Sequence, residues 1–159
     1  MSGFVIAGID PAPFRHLYGQ SDAALAAQGA IRMVVEAAPG SPCRVTLEDA
    51  AVGETVLLLN YEHLPVATPY RSCHAIFVRE GAETAAVFVN SIPEQLAIRL
   101  LSVRAFDAAG MMLDADVIDG SGLATAIDGF FSDPRVAYLH VHNAKPGCFA
   151  ARVDRVSAA

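Results

Sequence analysis

Two histidines and a cysteine near the C-terminus are the residues of this chain best suited to chemistry. They lie in the stretch AYLHVHNAKPGCF, where one residue separates His140 from His142 and Cys148 follows a Pro-Gly turn. Imidazole and thiolate are ligands that zinc prefers, and a thiol beside an imidazole is a pair used in nucleophilic catalysis. The remaining interpretation is a polar strand face that carries histidines without a site.

The hairpin that this stretch predicts would bring the three side chains together. Successive side chains on a strand alternate between faces, so His140 and His142 lie on the same side. Apolar residues should meet across the hairpin, which favours a register with Val141 opposite Phe149 and His142 opposite Cys148. The sequence therefore predicts one cluster of His140, His142 and Cys148.

This cluster has two chemical interpretations. As a zinc site, His140, His142 and Cys148 would supply three ligands, and His74, Cys43 or a water would complete the set. As a thiol site, Cys148 would be the nucleophile with His140 or His142 as its base. A free cysteine can also be a small buried apolar residue.

A second candidate region is the polar connection NYEHLPVATPYRS, residues 60–72. Tyr61, Tyr70 and Arg71 could hold a small anion there, with the planar guanidinium of Arg71 as the main donor. The alternative is a surface loop restricted by its two prolines.

Composition limits the classes of function. The chain has 159 residues, 53% of them hydrophobic and 18% charged, which predicts one globular domain over residues 1–159. The net charge is −6 and the basic residues are not clustered, so the sequence excludes a nucleic-acid partner.

The location of the protein is also predicted by absences in the sequence. The first residues, MSGFVIAGIDPAP, lack the basic region of a signal peptide, and no apolar run approaches the ~20 residues of a membrane span. The three cysteines are widely spaced and form no CxxC pair. We therefore expect a reduced, cytoplasmic protein that does not enter a membrane.

The pattern of apolar residues predicts an α+β fold, with a mainly antiparallel sheet and two or three short helices. Ser21 and Ser121 are the expected N-caps of helices that continue to Gly29 and to Phe131. The hairpin of IRLLSVRAFD and MMLDADVID is expected to turn near Gly110. The other predicted strands are 31–37, 54–61, 73–79, 85–90, 136–143 and 148–156.

Several stretches taken together resemble a known family. SPCRVTLEDAAVGETVLLLNYEHL, the PY at 69–70, AIFVRE and DPRVAYLHVHNAKPGCFAARVDR are similar to DUF1203, a bacterial domain family of unknown function. The resemblance covers residues 30–155. It implies a small, single-domain protein without an assigned activity.

The resemblance also implies which polar residues form a pocket. The family-like positions are Cys43, Arg44, Tyr61, Tyr70, His140, Asn143 and Cys148. In the family pattern the position of His142 usually holds arginine, and a further cysteine follows the position of Cys43. Both departures favour a ligand pocket around Cys43, His140 and Cys148 over a zinc site built on His142.

Three functions follow as expectations. The favoured one is a small-ligand binding or sensing module, monomeric or homo-oligomeric, with its pocket near His140 and Cys148. The second is a thiol-dependent enzyme that uses Cys148 or Cys43 with His140. The third is a metal-binding protein that uses His140, His142 and Cys148.

Overall fold

The computed structural model describes residues 3–156. Its three α-helices are short: α1 (Asp22–Ala27), α2 (Glu94–Ala97) and α3 (Leu123–Phe131). Its nine strands are β1 (Phe4–Ala7), β2 (Ile31–Val34), β3 (Thr55–Leu64), β4 (Ser72–Arg79), β5 (Val87–Val89), β6 (Leu100–Phe106), β7 (Met112–Asp119), β8 (Tyr138–Asn143) and β9 (Phe149–Arg155).

The strands form two antiparallel sheets. The large sheet has the order β5-β1-β9-β8-β6-β7, and the small sheet has the order β2-β3-β4. Strand β3 is the centre of the small sheet, as the apolar run ETVLLLNY predicted, and its side chains Val56, Leu57 and Leu59 are buried. The α+β class with mainly antiparallel pairing is confirmed.

The large sheet has two buried faces of different character. Leu139 and Val141 of β8 join the main apolar core, against which Leu123 and Ile127 of α3 pack. Alternation along the strand sends the intervening His140 to the opposite face. The end of β3 packs on that second face, where His63 contacts His140 and Phe149, so polar side chains are buried between the two sheets.

The start of α3 differs from the prediction that Ser121 is its N-cap. A turn of 3-10 helix at Gly120–Gly122 precedes the α-helix, and Asp119 caps that turn by accepting a hydrogen bond from the Ser121 amide. The helix starts later because a carboxylate two residues upstream already satisfies the first free amide. The predicted cap of α1 is confirmed, since Ser21 accepts from the Ala24 amide.

The β6–β7 hairpin turns at Gly110, as predicted, and Gly110 has the positive φ that such a turn requires. The β8–β9 hairpin forms as well, but its predicted register is wrong. Val141 pairs with Ala151 and His142 pairs with Phe149, with a bulge between the two pairs. The bulge moves Phe149 from the apolar core face to the histidine face.

The helices within residues 3–156 are all too short or too polar to cross a bilayer. The sequence prediction that no helix spans a membrane is confirmed for this part of the chain.

Candidate functional site

Three buried histidines meet between the two sheets. His63 comes from the end of β3, and His140 and His142 come from β8. One ring nitrogen of each lies within 4.8 Å of one ring nitrogen of the others. The side chains are nearly inaccessible to solvent, with exposed fractions of 7%, 1% and 0%. Burial at this level is unusual for histidine and requires partners for the ring nitrogens.

The local fold explains why these residues converge. His140 and His142 are two residues apart on β8, so both point toward the small sheet. On β3 the residues Leu57, Leu59 and Tyr61 alternate onto the inner face, and His63 continues that alternation. The β3–β4 pairing is irregular between Tyr61 and Leu64, and His63 in this stretch contacts His140 of the large sheet.

The hydrogen bond of His142 fixes which of its nitrogens is free. Its Nδ1 lies 2.9 Å from the carbonyl oxygen of Gly147, so Nδ1 carries the proton and donates. The Nε2 of His142 is then an unprotonated acceptor. It is buried and has no hydrogen-bond partner among the described residues. A buried nitrogen lone pair without a partner is costly unless something else binds it.

His63 lies between His74 and His140 and contacts both. Its Nε2 is 2.7 Å from Nδ1 of His74, and its Nδ1 is 3.3 Å from Nδ1 of His140. Two nitrogens bound to zinc at about 2.0–2.1 Å with a tetrahedral angle between them lie about 3.3–3.4 Å apart. The His63–His140 separation therefore equals that between two ligands of one tetrahedral ion.

All three histidines are neutral near neutral pH. Burial is the main cause, and it lowers the pKa of His63 to about 4, of His140 to about 2 and of His142 to about 3. The positive charge of Arg104 lowers the same three pKa values further. Neutral imidazoles offer lone pairs, which is the form that binds metals.

Aromatic rings enclose the histidine cluster. Phe149 stacks on His63 with ring centroids 4.9 Å apart and lies edge-on to His140 at 5.0 Å. Phe106 also contacts His140, at 5.4 Å. These rings restrict the imidazole orientations and keep water away from them.

Cys148 lies outside the group of three histidines, contrary to the predicted cluster. Because of the bulge, Phe149 and not Cys148 stands opposite His142, and Cys148 sits in the turn before β9. Its Sγ is 3.0 Å from Nη2 of Arg44 and 3.7 Å from Nδ2 of Asn143. The thiol therefore has an arginine neighbour in place of the expected histidine base.

Arg44 is buried almost completely, with 1% of its surface exposed. Its Nε donates to the carbonyl oxygen of Phe149 at 2.8 Å, and its Nη1 donates to that of Pro42 at 2.6 Å. Burial lowers the pKa of Arg44, and the nearby Cys148 acts in the opposite direction. The guanidinium thus links the start of β9 to the chain segment around Pro42.

A cavity of about 700 Å³ lies beside the histidine cluster and beside the Arg44–Cys148 contact. Arg44, Asn143 and Cys148 line it, and so does His74, which contacts the histidine cluster. Leu58, Phe77, Ile98 and Leu100 are among the apolar residues of the lining. The volume is that of a pocket for a small organic molecule.

The family model of DUF1203, described as a protein of unknown function, matches residues 40–155. This range covers most of the chain and includes the histidine cluster, Arg44 and Cys148. The chain belongs to the DUF1203 family. No curated protein and no solved structure matches it.

In this DUF1203 protein the other predicted site residues lie apart from the cavity. Tyr61 packs edge-on against Phe14 with ring centroids 6.0 Å apart. Tyr70 is 37% exposed, and Arg71 forms a surface ion pair with Glu62 at 3.1 Å. The segment 60–72 that carries them comprises the end of β3, a turn and the first residue of β4.

Cys43 is also separate from the cavity lining. Its side chain is fully buried, and its Sγ accepts hydrogen bonds from the backbone amides of Arg79 at 3.2 Å and Thr46 at 3.4 Å. These contacts give Cys43 a structural role in joining its segment to β4.

His63 is the residue that the sequence interpretation missed. It lies beyond the predicted strand 54–61, in the segment 60–72 that the sequence predicts to be a polar connection. The available signal was the alternation of Leu57, Leu59 and Tyr61 on β3, which places His63 on the same buried face. His74, considered as a completing ligand, instead bonds to the outer nitrogen of His63.

Proposed function

We propose that this DUF1203 protein binds a transition metal ion, with zinc as the best fit, through His63, His140 and His142. The observation that carries the proposal is the buried, unpartnered Nε2 of His142 beside the His63–His140 pair. A metal ion would accept the lone pair of that nitrogen and of the two facing Nδ1 atoms. His140 and His142 belong to the ligand set that the sequence predicted, and His63 takes the place of Cys148 in it.

The outer nitrogens support this assignment. His142 donates Nδ1–H to the Gly147 carbonyl, and Nε2 of His63 can donate to Nδ1 of His74. Histidine ligands usually donate their second N–H to a fixed acceptor, which orients the ring and selects the tautomer. The two hydrogen bonds leave the inner nitrogens of His63 and His142 free to bind the ion.

Three protein ligands leave a fourth tetrahedral position for a water or a ligand. Arg104 faces His140 across the β6–β8 pair, and no carboxylate among residues 3–156 lies within ion-pair distance of its guanidinium. A positive charge beside the ion favours an anionic fourth ligand, such as hydroxide or a carboxylate. An exchangeable position of this kind is typical of zinc sites that bind or activate small molecules.

The second part of the proposal is that the cavity beside the cluster binds a small molecule. Its support is the volume of about 700 Å³ together with polar groups, Arg44, Asn143 and His74, on largely apolar walls. These features fit a protein that binds or senses a small molecule, and they do not require that it catalyses a reaction. We also place the protein in a reducing compartment such as the cytoplasm, because Cys43, Cys73 and Cys148 are all unpaired.

The test is elemental analysis of the untagged protein purified without chelator, followed by Co²⁺ reconstitution of chelator-treated protein. We expect close to one equivalent of metal per chain and a visible absorption band from tetrahedral Co²⁺. His142→Gln should abolish both signals. His16→Gln is the matched control, because His16 is exposed and distant from the cluster.

Metal well below a tenth of an equivalent, combined with no Co²⁺ band on reconstitution, would overturn the metal assignment. A Co²⁺ band that survives His142→Gln would overturn the ligand set. The melting temperature gives a second readout, since an ion that binds only the folded state raises it. Chelator should lower the melting temperature of the loaded wild type and leave that of His142→Gln unchanged.

A further inference from the structure

The cavity beside the histidine cluster is lined by positive charge without negative charge. Its lining contains Arg44, Arg99 and Lys145, and no Asp or Glu of the described residues 3–156 belongs to it. The chain as a whole has the opposite balance, with 17 acidic residues, 11 Lys and Arg residues and a net charge of −6. A concave wall with one sign of charge concentrates ligands of the other sign. The cavity therefore favours an anionic ligand.

Two of the three cations lack a carboxylate partner. Arg99 binds Asp49 through two contacts of 2.6 and 2.9 Å, so its charge is compensated from outside the lining. Arg44 is 1% exposed and bonds to two backbone carbonyls and a sulfur atom. Neither Arg44 nor the exposed Lys145 has an ion pair within residues 3–156. Because a buried charge is costly without an opposite charge, an anion in the cavity would stabilise Arg44.

The same cavity has large apolar side chains that are not covered. Ile98 and Leu100 line it, and each is 52% exposed. Leu58 and Phe77 extend the apolar part of the lining. An apolar ligand body would cover these side chains together, and removal of apolar surface from water favours binding.

The charged and apolar parts of the lining lie next to each other. The amide of Ala144 donates to the carbonyl of Leu100 at 3.0 Å, so the turn that carries Lys145 lies against the start of β6. Arg44 bonds to the carbonyl of Phe149, which follows the same turn. One small molecule can therefore present a charged group to the cations and an apolar group to the neighbouring wall.

We propose that the cavity binds a small amphipathic organic anion. Its carboxylate or phosphate head lies beside Lys145 and Arg44, and its apolar body lies against Ile98 and Leu100. A neutral ligand would leave both cations uncompensated, and an inorganic anion would leave the apolar wall uncovered. The inference rests on the proposal that the cavity binds a small molecule, whose chemical class it names, and it does not depend on the metal.

Two fluorescent probes with the same aromatic body test this class. 8-Anilinonaphthalene-1-sulfonate carries an anionic group, and N-phenyl-1-naphthylamine is the same molecule without it. Each is titrated against the untagged protein. We expect the anionic probe to saturate at one molecule per chain and to bind at least about tenfold more tightly than the neutral probe, because a charged pairing of this kind contributes that much.

The outcomes separate this inference from the proposed function. Equal or tighter binding of the neutral probe would overturn the anionic class, while small-molecule binding in the cavity would stand. The absence of saturable binding by either probe would overturn both. The result of the metal analysis does not alter either conclusion.

Competitors distinguish the two head groups. Decanoate and decyl phosphate share a ten-carbon chain with the neutral decanol. We expect at least one of the two anions to displace the anionic probe at a concentration about tenfold below that required of decanol. Stronger displacement by decanoate assigns a carboxylate head, and stronger displacement by decyl phosphate assigns a phosphate head. Displacement by decanol at the same concentrations would contradict the proposal.

Lys145 is the only lysine of the chain, and its replacement tests where the head lies. Lys145→Gln should weaken the anionic probe about tenfold and leave the affinity of the neutral probe unchanged. Arg71→Gln is the matched control, because it removes the same charge from an exposed position outside the lining. It should leave both affinities at the wild-type values. Wild-type affinity for the anionic probe in Lys145→Gln would overturn the assigned position of the head.

A carboxylate added to the apolar wall provides a second variant. Leu100→Glu should weaken the anionic probe by more than about tenfold through repulsion, and the exposure of Leu100 allows the protein to fold. Val117→Glu is the matched control, since Val117 is 58% exposed on the neighbouring strand β7 and lies outside the lining. Equal affinities in the two variants would show that the probe binds elsewhere, which would overturn the proposal.

Discussion

The Nδ1 atoms of His63 and His140 lie 3.3 Å apart although the two residues belong to different sheets. They are separated by 77 positions in the chain. The contact joins the small sheet to the large one through two buried side chains.

His74 should support metal binding without being a ligand. Its Nδ1 bonds to the outer nitrogen of His63 at 2.7 Å, so it fixes the ring that would bind the ion. Loss of such an outer partner typically weakens metal affinity by about 10- to 100-fold. His74→Leu should therefore still bind Zn²⁺, with an affinity reduced by that factor in a competition titration with a chromogenic chelator.

The control for this prediction is His16→Leu, which should leave the affinity unchanged because His16 is exposed and its ring bonds to the side chain of Gln28. An unchanged affinity in His74→Leu would show that His74 does not orient His63. Complete loss of binding would show that His74 is itself a ligand.

The metal-free protein should lose stability as the pH falls below that of an unfolded histidine. Burial lowers the pKa of His63 to about 4, of His140 to about 2 and of His142 to about 3. An unfolded histidine titrates near pH 6.5, so below that pH the unfolded chain binds protons that the folded chain does not. Stability is full above about pH 6.5 and decreases as the pH falls toward about 4.

Each of these histidines contributes up to about 1.4 kcal/mol of lost stability per pH unit in that range. Urea unfolding at pH 7, 6 and 5 measures the slope. His140→Gln should reduce it by one proton, whereas His16→Gln should not change it. A free energy of unfolding that is the same at pH 7 and pH 5 would contradict this account.

Replacement of Arg44 by lysine should destabilise the fold although the charge is retained. The guanidinium reaches the carbonyls of Phe149 and Pro42 and the sulfur of Cys148 in one plane, which a lysine ammonium cannot reproduce. We expect Arg44→Lys to lose about 2–3 kcal/mol in urea unfolding, because buried acceptors lose their donors.

Arg71→Lys is the matched control for this change and should remain within about 0.5 kcal/mol of the wild type, since its ion pair with Glu62 is exposed. A loss of less than about 0.5 kcal/mol in Arg44→Lys would show that the planar hydrogen bonds contribute little.

Gly8 should not tolerate a side chain. A Cβ at this position would collide with the backbone carbonyl of Val45, where the chain passes close to the end of β1. Because backbone and not a flexible side chain is in the way, Gly8→Ala should cost about 2–3 kcal/mol in thermal or urea unfolding.

Gly129 in α3 provides the opposite expectation, since a Cβ there meets no atom within 4 Å. Gly129→Ala should stabilise the protein by about 0.5–1 kcal/mol, because alanine favours the helical backbone. If the two alanine variants were equally stable, the close passage of Val45 would be disproved.

Most strands could be predicted from the sequence because their apolar residues alternate or run continuously, as in β3 and β8. The turn at Gly110 and the Ser21 cap were also predictable, since each depends on a few neighbouring residues. The bulge in the β8–β9 pair was not predictable. Matching apolar residues across a hairpin cannot reveal an extra residue whose position depends on a second sheet.

The sequence by itself determined that His140 and His142 share one face, because alternation along a strand is a local property. It also determined the α+β class and the family to which the chain belongs. The tertiary structure alone decided that His63 joins them and that Arg44 contacts Cys148. Those contacts link residues 77 and 104 positions apart, and they depend on how two sheets pack rather than on any pattern within one strand.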